Sequence, residues 1–240
     1  MKLPKSHPRY KSLKVRDLIA NGVKKGITSI HGLIAHGRGE SFDYLIGEKT
    51  NNFARKSIEA AAALLLNARN PVISVNGNTA VLVPRELVEL SKLINAPLEV
   101  NIFHSSKQRE LKIKNYLKKN GANNILLPDK HHKLKFLDSS RKYVNPNGIM
   151  KADVVLVPLE DGDRTEALIK NGKKAIAIDL NPLSRTAQKA TVTIVDNITR
   201  AIPLLILAIK KYDKSKFKKK MTKYDNKRIL NEALKYIRNS

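Results

Sequence analysis

Four short apolar runs, each stopping dead at a polar turn, constrain this chain more than any other feature. They are Val72-Ile-Ser-Val75, Ala152 to Pro158, Lys174 to Asp179 and Thr191 to Val195. A β-branched run too short for a buried helix and bounded by Asn, Asp or Gly reads as a strand buried on both faces. Helical patterns stand between and after them at Arg85 to Ile94, Lys107 to Lys119, Arg164 to Lys170 and Ile198 to Lys210, with further strands near Leu98 to Phe103 and Asn124 to Leu127. Alternation of that kind predicts a mostly parallel sheet with helices on both sides, because right-handed crossovers place them there. The expected fold class is therefore α/β, with a Rossmann-like three-layer αβα core over residues 71–209.

Before that core the pattern is helical. Leu13, Val15, Leu18, Ile19 and Val23 recur at roughly helical spacing up to Gly26, a second short helix is expected from Thr28 or Ser29, and a long one capped by Thr50 runs to Asn70. Residues 1–70 are thus expected to form a helical N-terminal region packed on the core. The stretch from Pro128 to Gly148 shows no clean period and reads as an irregular loop or lid. Residues 210–240 form a basic C-terminal helical tail, with Ile229, Leu230, Ala233, Leu234 and Ile237 on one face, suited to packing on the body or on a partner subunit.

Cysteine is absent, which rules out disulfides, thiolate metal sites and cysteine nucleophiles. Neither a signal-peptide pattern nor an apolar stretch long enough to span a bilayer occurs, so a soluble cytoplasmic protein is expected. The charge is high: 46 Lys and Arg against 21 Asp and Glu give +25, of which the twelve basic and three acidic side chains from Lys210 onward contribute +9. Such a field attracts polyanions, and a non-catalytic RNA- or ribosome-associated binder is the alternative reading that it supports. Against it, aromatic residues make up only 5% of the chain and do not interleave with the basic ones as a stacking platform requires. Nucleic acid is therefore not the expected partner; small anionic ligands are.

In an open α/β sheet, ligands sit beyond the carboxyl ends of the strands. Asn76-Gly-Asn-Thr79 offers amides, a hydroxyl and close backbone approach, or simply a tight turn with a helix cap. Glu160-Asp-Gly-Asp-Arg164 sets carboxylates beside an arginine, which suits Mg²⁺, an amine, or only a solvated capping turn. Asp179-Leu-Asn-Pro-Leu-Ser-Arg-Thr186 places an acid where a ribose hydroxyl would lie and Ser184, Arg185 and Thr186 where phosphate oxygens would. Asp196-Asn197 is a polar pair that can also just cap the next helix. Away from the strand ends, His31 to Glu40 gathers two histidines, three glycines and Arg38, whose fork of donors can reach a phosphate. No P-loop and no glycine-rich dinucleotide fingerprint is present, so any nucleotide binds through another motif.

Several of these strings together, namely Ser6 to Arg9, Gly26 to Glu40, Phe42 to Glu48, Ser74 to Thr79, Ala152 to Leu168, Ala177 to Thr191 and Ile194 to Asn197, resemble the archaeal phosphopantothenate synthetase family. The resemblance covers roughly residues 5–209; Lys130 to Lys135 and the extension after Lys210 depart from the family pattern. It implies an ATP-dependent, AMP-forming ligase that condenses 4-phosphopantoate with β-alanine in coenzyme A biosynthesis, and a homodimer. Carried over by position, Arg16 and Arg38 are expected to contact ATP, with Asp179, Leu180, Asn181, Arg185, Thr186, Asn197 and Ile198 as the nucleotide-binding segments. Asn76, Asn78 and Thr79 are expected to orient the acyl or phosphoryl groups of the substrates. Asp161 or Asp163 would hold Mg²⁺ or receive the β-alanine ammonium, and His36 is either the proton acceptor beside Arg38 or a hydrogen-bonding member of a glycine-rich turn.

Overall fold

The structure, a computed structural model, describes residues 4–212 and 224–239. Six parallel strands form the central sheet: β1 (Pro71–Val75), β2 (Leu98–Val100), β3 (Ile125–Leu126), β6 (Val154–Pro158), β7 (Lys174–Ile178) and β8 (Val192–Ile194). Their spatial order is β3-β2-β1-β6-β7-β8, the doubly wound Rossmann arrangement with one hairpin inserted. In that hairpin, β4 (Asp129–Lys133) pairs antiparallel with β5 (Tyr143–Val144).

Alternation along the strands divides the core. Ile73, Val75, Leu98, Leu156, Ile176, Ile178 and Ile194 face one hydrophobic cluster, whereas Val72, Val155, Val157, Ala175 and Ala177 face a second, smaller one. Burial on both faces is why these strands read as continuous apolar runs rather than alternating ones. The first face is covered by α3 (Asn52–Leu66), α5 (Pro84–Leu93), α6 (Lys107–Lys119) and α9 (Ile198–Lys210). The second is covered by α7 (Gly162–Lys170) and by the hairpin with the turn after it, through Leu168, Leu134, Val144 and Ile149.

Two helices precede α3. These are α1 (Tyr10–Lys24) and α2 (Ile30–Leu45), and the short helices α4 (Gly77–Leu82) and α8 (Arg185–Lys189) follow β1 and β7. The last described helix, α10 (Asn226–Arg238), buries Ile229, Leu230 and Ala233 in the main cluster. The tail therefore docks on the body of its own chain, while the rest of the tail expectation, residues 213–223, lies outside the described residues. Among the described residues no helix is long and apolar enough to cross a membrane.

Three local expectations need correction. The helix expected to be short from Ser29 runs sixteen residues, so the glycine-bearing stretch around His36 and Arg38 is helical and not a turn. Ser29 caps it by accepting the Gly32 N–H at 3.2 Å. Thr50 does not cap α3: Asn51 occupies the cap position, and the Thr50 hydroxyl donates instead to Asp196 at 2.6 Å. The loop or lid over residues 128–148 contains the β4–β5 hairpin and a turn of 3-10 helix at Ser140–Lys142. Its first strand, Asp-Lys-His-His-Lys, is exposed or half-buried throughout and has no apolar alternation for a periodicity argument to find.

Candidate active site

Between β1 and β6 the winding of the sheet reverses, and a crevice opens beyond their carboxyl ends. Asn76 spans it. Its side-chain oxygen caps α4 by accepting the Thr79 N–H at 3.0 Å, and its amide donates to the carbonyls of Pro158 at 3.2 Å and Leu159 at 2.8 Å. Gly77 is required at the next position because a Cβ there would stand 2.4 Å from the Ile27 carbonyl oxygen. The loop before α2 is thereby brought onto the start of α4, where Asn78 donates to the Gly32 carbonyl at 2.8 Å and accepts from the Thr28 hydroxyl.

Two clefts flank this junction. One, of ≈ 420 Å³, lies beyond β6, β7 and β8 and is walled by His36, Asp179, Asn181, Arg185, Thr186 and Asn197 among others. The other, of ≈ 300 Å³, lies beyond β1 and β2 and is walled by Ser29, His31, Asn76, Ile102, His104 and Arg109 among others. Both clefts share Ala35, Arg38, Asn78, Leu159 and Asp161. A ligand in either one therefore meets the other at the Arg38 side chain.

Most of the expected site residues gather in the first cleft: His36, Arg38, Asn78, Asp161, Asp179, Leu180, Asn181, Arg185, Thr186, Asn197 and Ile198 all line it. Asn76 lines the second cleft, and three expected residues lie in neither. Arg16 is on α1, where its guanidinium pairs with Glu40 at 2.8 Å and donates to the Tyr44 hydroxyl at 2.8 Å. Thr79 is fully buried, its hydroxyl shared between the Asn76 side-chain oxygen at 3.0 Å and the Pro158 carbonyl at 3.3 Å, so it braces the crevice without lining it. Asp163 is exposed on the first turn of α7 and forms an ion pair with Arg185.

Several of the gathered groups are already held by their own loops. Asp179 accepts the Asn181 N–H at 2.9 Å and the Ser184 hydroxyl, so both of its oxygens brace the turn they belong to, and burial pushes its carboxyl above the ordinary range. Asn197 caps α9 by accepting the Thr199 N–H at 3.1 Å, and its amide donates to Asp43 at 2.8 Å. Arg185 bonds Glu166 at 2.5 Å, and with Lys170 it holds the Glu166 carboxyl down to about 2. His36 is shielded on α2 with no hydrogen-bond partner at Nε2, and desolvation lowers its pKa, favouring the neutral imidazole at pH 7.

A buried ionic chain that the sequence did not reveal underlies the shared wall. Arg164, fully buried on α7, reaches Glu160 and the Ser74 hydroxyl at 2.9 Å; Glu160 in turn pairs with Arg141. Arg141 is clamped at the end of β2, donating to the Asn101 side chain at 3.0 Å and to its carbonyl at 3.1 Å, and it meets Asp161 at 2.5 Å. A buried charge chain is stable only when each charge has a partner, and here its exposed end fixes the Asp161 carboxylate. Glu160 was visible as part of an acidic turn, but Arg141 sits in the stretch without a pattern, and Arg109 read only as one more charge on a Lys-rich helix.

Among the described residues no group of three or more His, Asp or Glu side chains is placed to hold a metal ion. Mg²⁺ commonly binds through one or two carboxylates plus substrate phosphates, and Asp161, facing both clefts, fits that limited role.

A family model described as phosphopantothenate/pantothenate synthetase matches residues 53–240. The chain is 51% identical to a protein named 4-phosphopantoate--beta-alanine ligase from Thermococcus onnurineus, over 99% of this chain and 93% of that one. Proteins of the same name from Methanosarcina mazei and Methanospirillum hungatei are 52% and 47% identical, each over 98% of this chain and over 94% and 96% of their own lengths.

Proposed function

The chain belongs to the phosphopantothenate/pantothenate synthetase family, and from that membership and its paired clefts we propose that it joins 4-phosphopantoate to β-alanine, driven by ATP. It is a carbon–nitrogen ligase of coenzyme A biosynthesis. The observation that carries the mechanism is the wall common to both clefts, with Arg38 and Asp161 on it.

A carboxylate is a poor electrophile until an oxygen is converted into a leaving group. In this reading the nucleotide occupies the cleft beyond β6 to β8 and the organic acid the cleft beyond β1 and β2. The acid's carboxylate oxygen attacks the α-phosphorus, the bond to the β-phosphate oxygen breaks, and an acyl adenylate and pyrophosphate form. The β-alanine nitrogen then attacks the acyl carbon, loses a proton and expels AMP. Both partners in the first step are anions, so positive donors must offset their repulsion before the atoms can meet. Arg38, with its planar fork at the shared wall, has that task.

Asp161, oriented by Arg141, receives the β-alanine ammonium or would contribute a ligand to Mg²⁺ accompanying the nucleotide. Bound there, the ion would neutralise phosphate charge. His36, favoured as the free base, is the acceptor for the amine proton. Ile30 and Ile34, 61% and 60% exposed on one face of α2, supply apolar surface for a homodimer, which sedimentation velocity tests. An ATP-dependent step of central biosynthesis belongs in the cytoplasm.

Isotope exchange tests the mechanism. Labelled pyrophosphate should enter ATP in the presence of 4-phosphopantoate alone, and net AMP should appear only once β-alanine is added. ADP and phosphate as products would overturn the adenylate, and no nucleotide turnover at all would overturn the ligase.

A further inference from the structure

The arginines around the two clefts differ in whether an acid neutralises them. Arg141 is paired with Glu160 and Asp161, Arg185 with Asp163 and Glu166, Arg16 with Glu40, and Arg200 with Asp43 and Asp196. Among the described residues no carboxylate pairs with Arg38 or with Arg109, and both side chains line the cleft beyond β1 and β2. Arg38 stands at its inner wall, shared with the nucleotide cleft. Arg109, in the first turn of α6, belongs only to the cleft beyond β1 and β2.

Arg109 is the more unusual of the two because it is half-buried. Its Nε donates to the Ile27 carbonyl at 3.3 Å and its Nη1 to the His104 carbonyl at 3.2 Å, both neutral acceptors. Removal from water pushes its pKa down. A guanidinium taken out of water without a counter-charge is costly unless an anion arrives to meet it. Two imidazoles lie at the same end of the cleft: His31 on α2 and His104 before α6, ring centroids 4.7 Å apart. The guanidinium also lies against the start of α4, where a Cβ on Gly77 would stand 3.2 Å from Nη2.

The assignment that follows rests on the ligase reading for the orientation of the substrate. 4-Phosphopantoate is a short branched acid with a carboxylate at one end and a phosphate ester at the other. The carboxylate must face the nucleotide, and so Arg38, because that is where the new bond to phosphorus forms. The phosphate must then lie at the far end, with the two methyl groups between, where Ile102 and Leu159 line the cleft. We propose that Arg109, flanked by His31 and His104, is the clamp for the terminal phosphate and the residue by which this enzyme distinguishes phosphorylated from unphosphorylated pantoate.

The test compares 4-phosphopantoate with pantoate in wild type, Arg109→Ala and His104→Ala, by steady-state kinetics and by calorimetric titration of each acid without ATP. Loss of a charge-assisted donor pair should weaken 4-phosphopantoate binding and raise its KM roughly 10- to 100-fold in Arg109→Ala. Pantoate binding and the KM for ATP should stay near wild type, so the preference for the phosphorylated acid falls by the same factor. His104→Ala, in an exposed loop, should fold regardless and lose roughly 3- to 10-fold of the same preference. Unchanged preference in both variants would overturn the clamp. The two readings fail separately: turnover with unaltered preference leaves the ligase and removes the clamp, whereas binding that depends on Arg109 without AMP release does the reverse.

Discussion

The Asn76 side-chain amide donates to the Leu159 carbonyl oxygen at 2.8 Å, tying the loop after β1 to the loop after β6. These strands are direct neighbours, with Ile73 opposite Leu156, and they stand where the winding of the sheet changes direction. The tie holds the floor of both clefts together, since Asn76 lines one and Leu159 lines both.

Replacing Asn76 with Ala removes this tie and the cap on α4 at once, and should cost about 1–2 kcal/mol in urea unfolding. Asn76→Asp keeps the capping oxygen but turns a carboxylate oxygen towards the Pro158 and Leu159 carbonyls, so it should recover little of the loss. Wild-type stability in both variants would show that the tie is not structural.

Arg38→Ala should lower AMP formation about 10²- to 10³-fold, as expected for a donor aimed at developing charge. Its side chain is exposed, so the urea midpoint should move by less than about 0.5 kcal/mol. Arg38→Lys should also be impaired, because an ammonium cannot reproduce the planar fork. Retained turnover in Arg38→Ala would remove this residue from the mechanism.

Glu99, 0% exposed on β2, accepts the N–H groups of Asn145 at 2.9 Å and Ile149 at 2.6 Å, yet burial dominates and pushes its carboxyl up to about 7. The folded chain therefore keeps this proton to higher pH than the unfolded chain, whose glutamates titrate near ~4.3. The stability contributed by the protonated group is fully present below ~4.3 and is lost as pH rises through about 7, up to about 4 kcal/mol in all. Glu99→Gln should flatten that part of the stability profile when urea midpoints at about pH 5 and pH 8 are compared. An unchanged slope would place the titration elsewhere.

Removing residues 213–240 should destabilise the chain, because Ile229, 1% exposed, and Ala233 complete the main core. Ile229→Ala alone should cost about 2–4 kcal/mol, read as a lower thermal midpoint. A truncated chain with the wild-type melting curve would mean that α10 contributes no stability.

The order of elements in the core was legible because each strand is buried on both faces. Val154 to Pro158 and Ala175 to Ile178 are continuous apolar runs for that reason, and the polar turns after them mark where ligands meet a parallel sheet. The hairpin was not legible: Asp129 to Lys133 carries charge on an exposed strand, and its pairing with β5 is a long-range contact that local pattern does not encode. Similarly, the glycines around His36 suggested a turn, but tertiary packing of α2 against Asn78 overrides their weak helix propensity.

Local chemistry thus dictated the sheet, its crossovers and which kinds of side chain stand at the strand ends, because hydrophobic period and turn residues act over a few positions. What it could not decide is the state of each charge. Arg16, Arg141 and Arg185 look as available in the chain as Arg38 and Arg109, yet Glu40, Glu160 with Asp161, and Asp163 with Glu166 neutralise the first three. Those acids are about twenty residues away along the chain and become neighbours only when helices cross and strands stack. Coulomb attraction depends on distance in space, so only the tertiary structure could decide which of these cations have an acid partner.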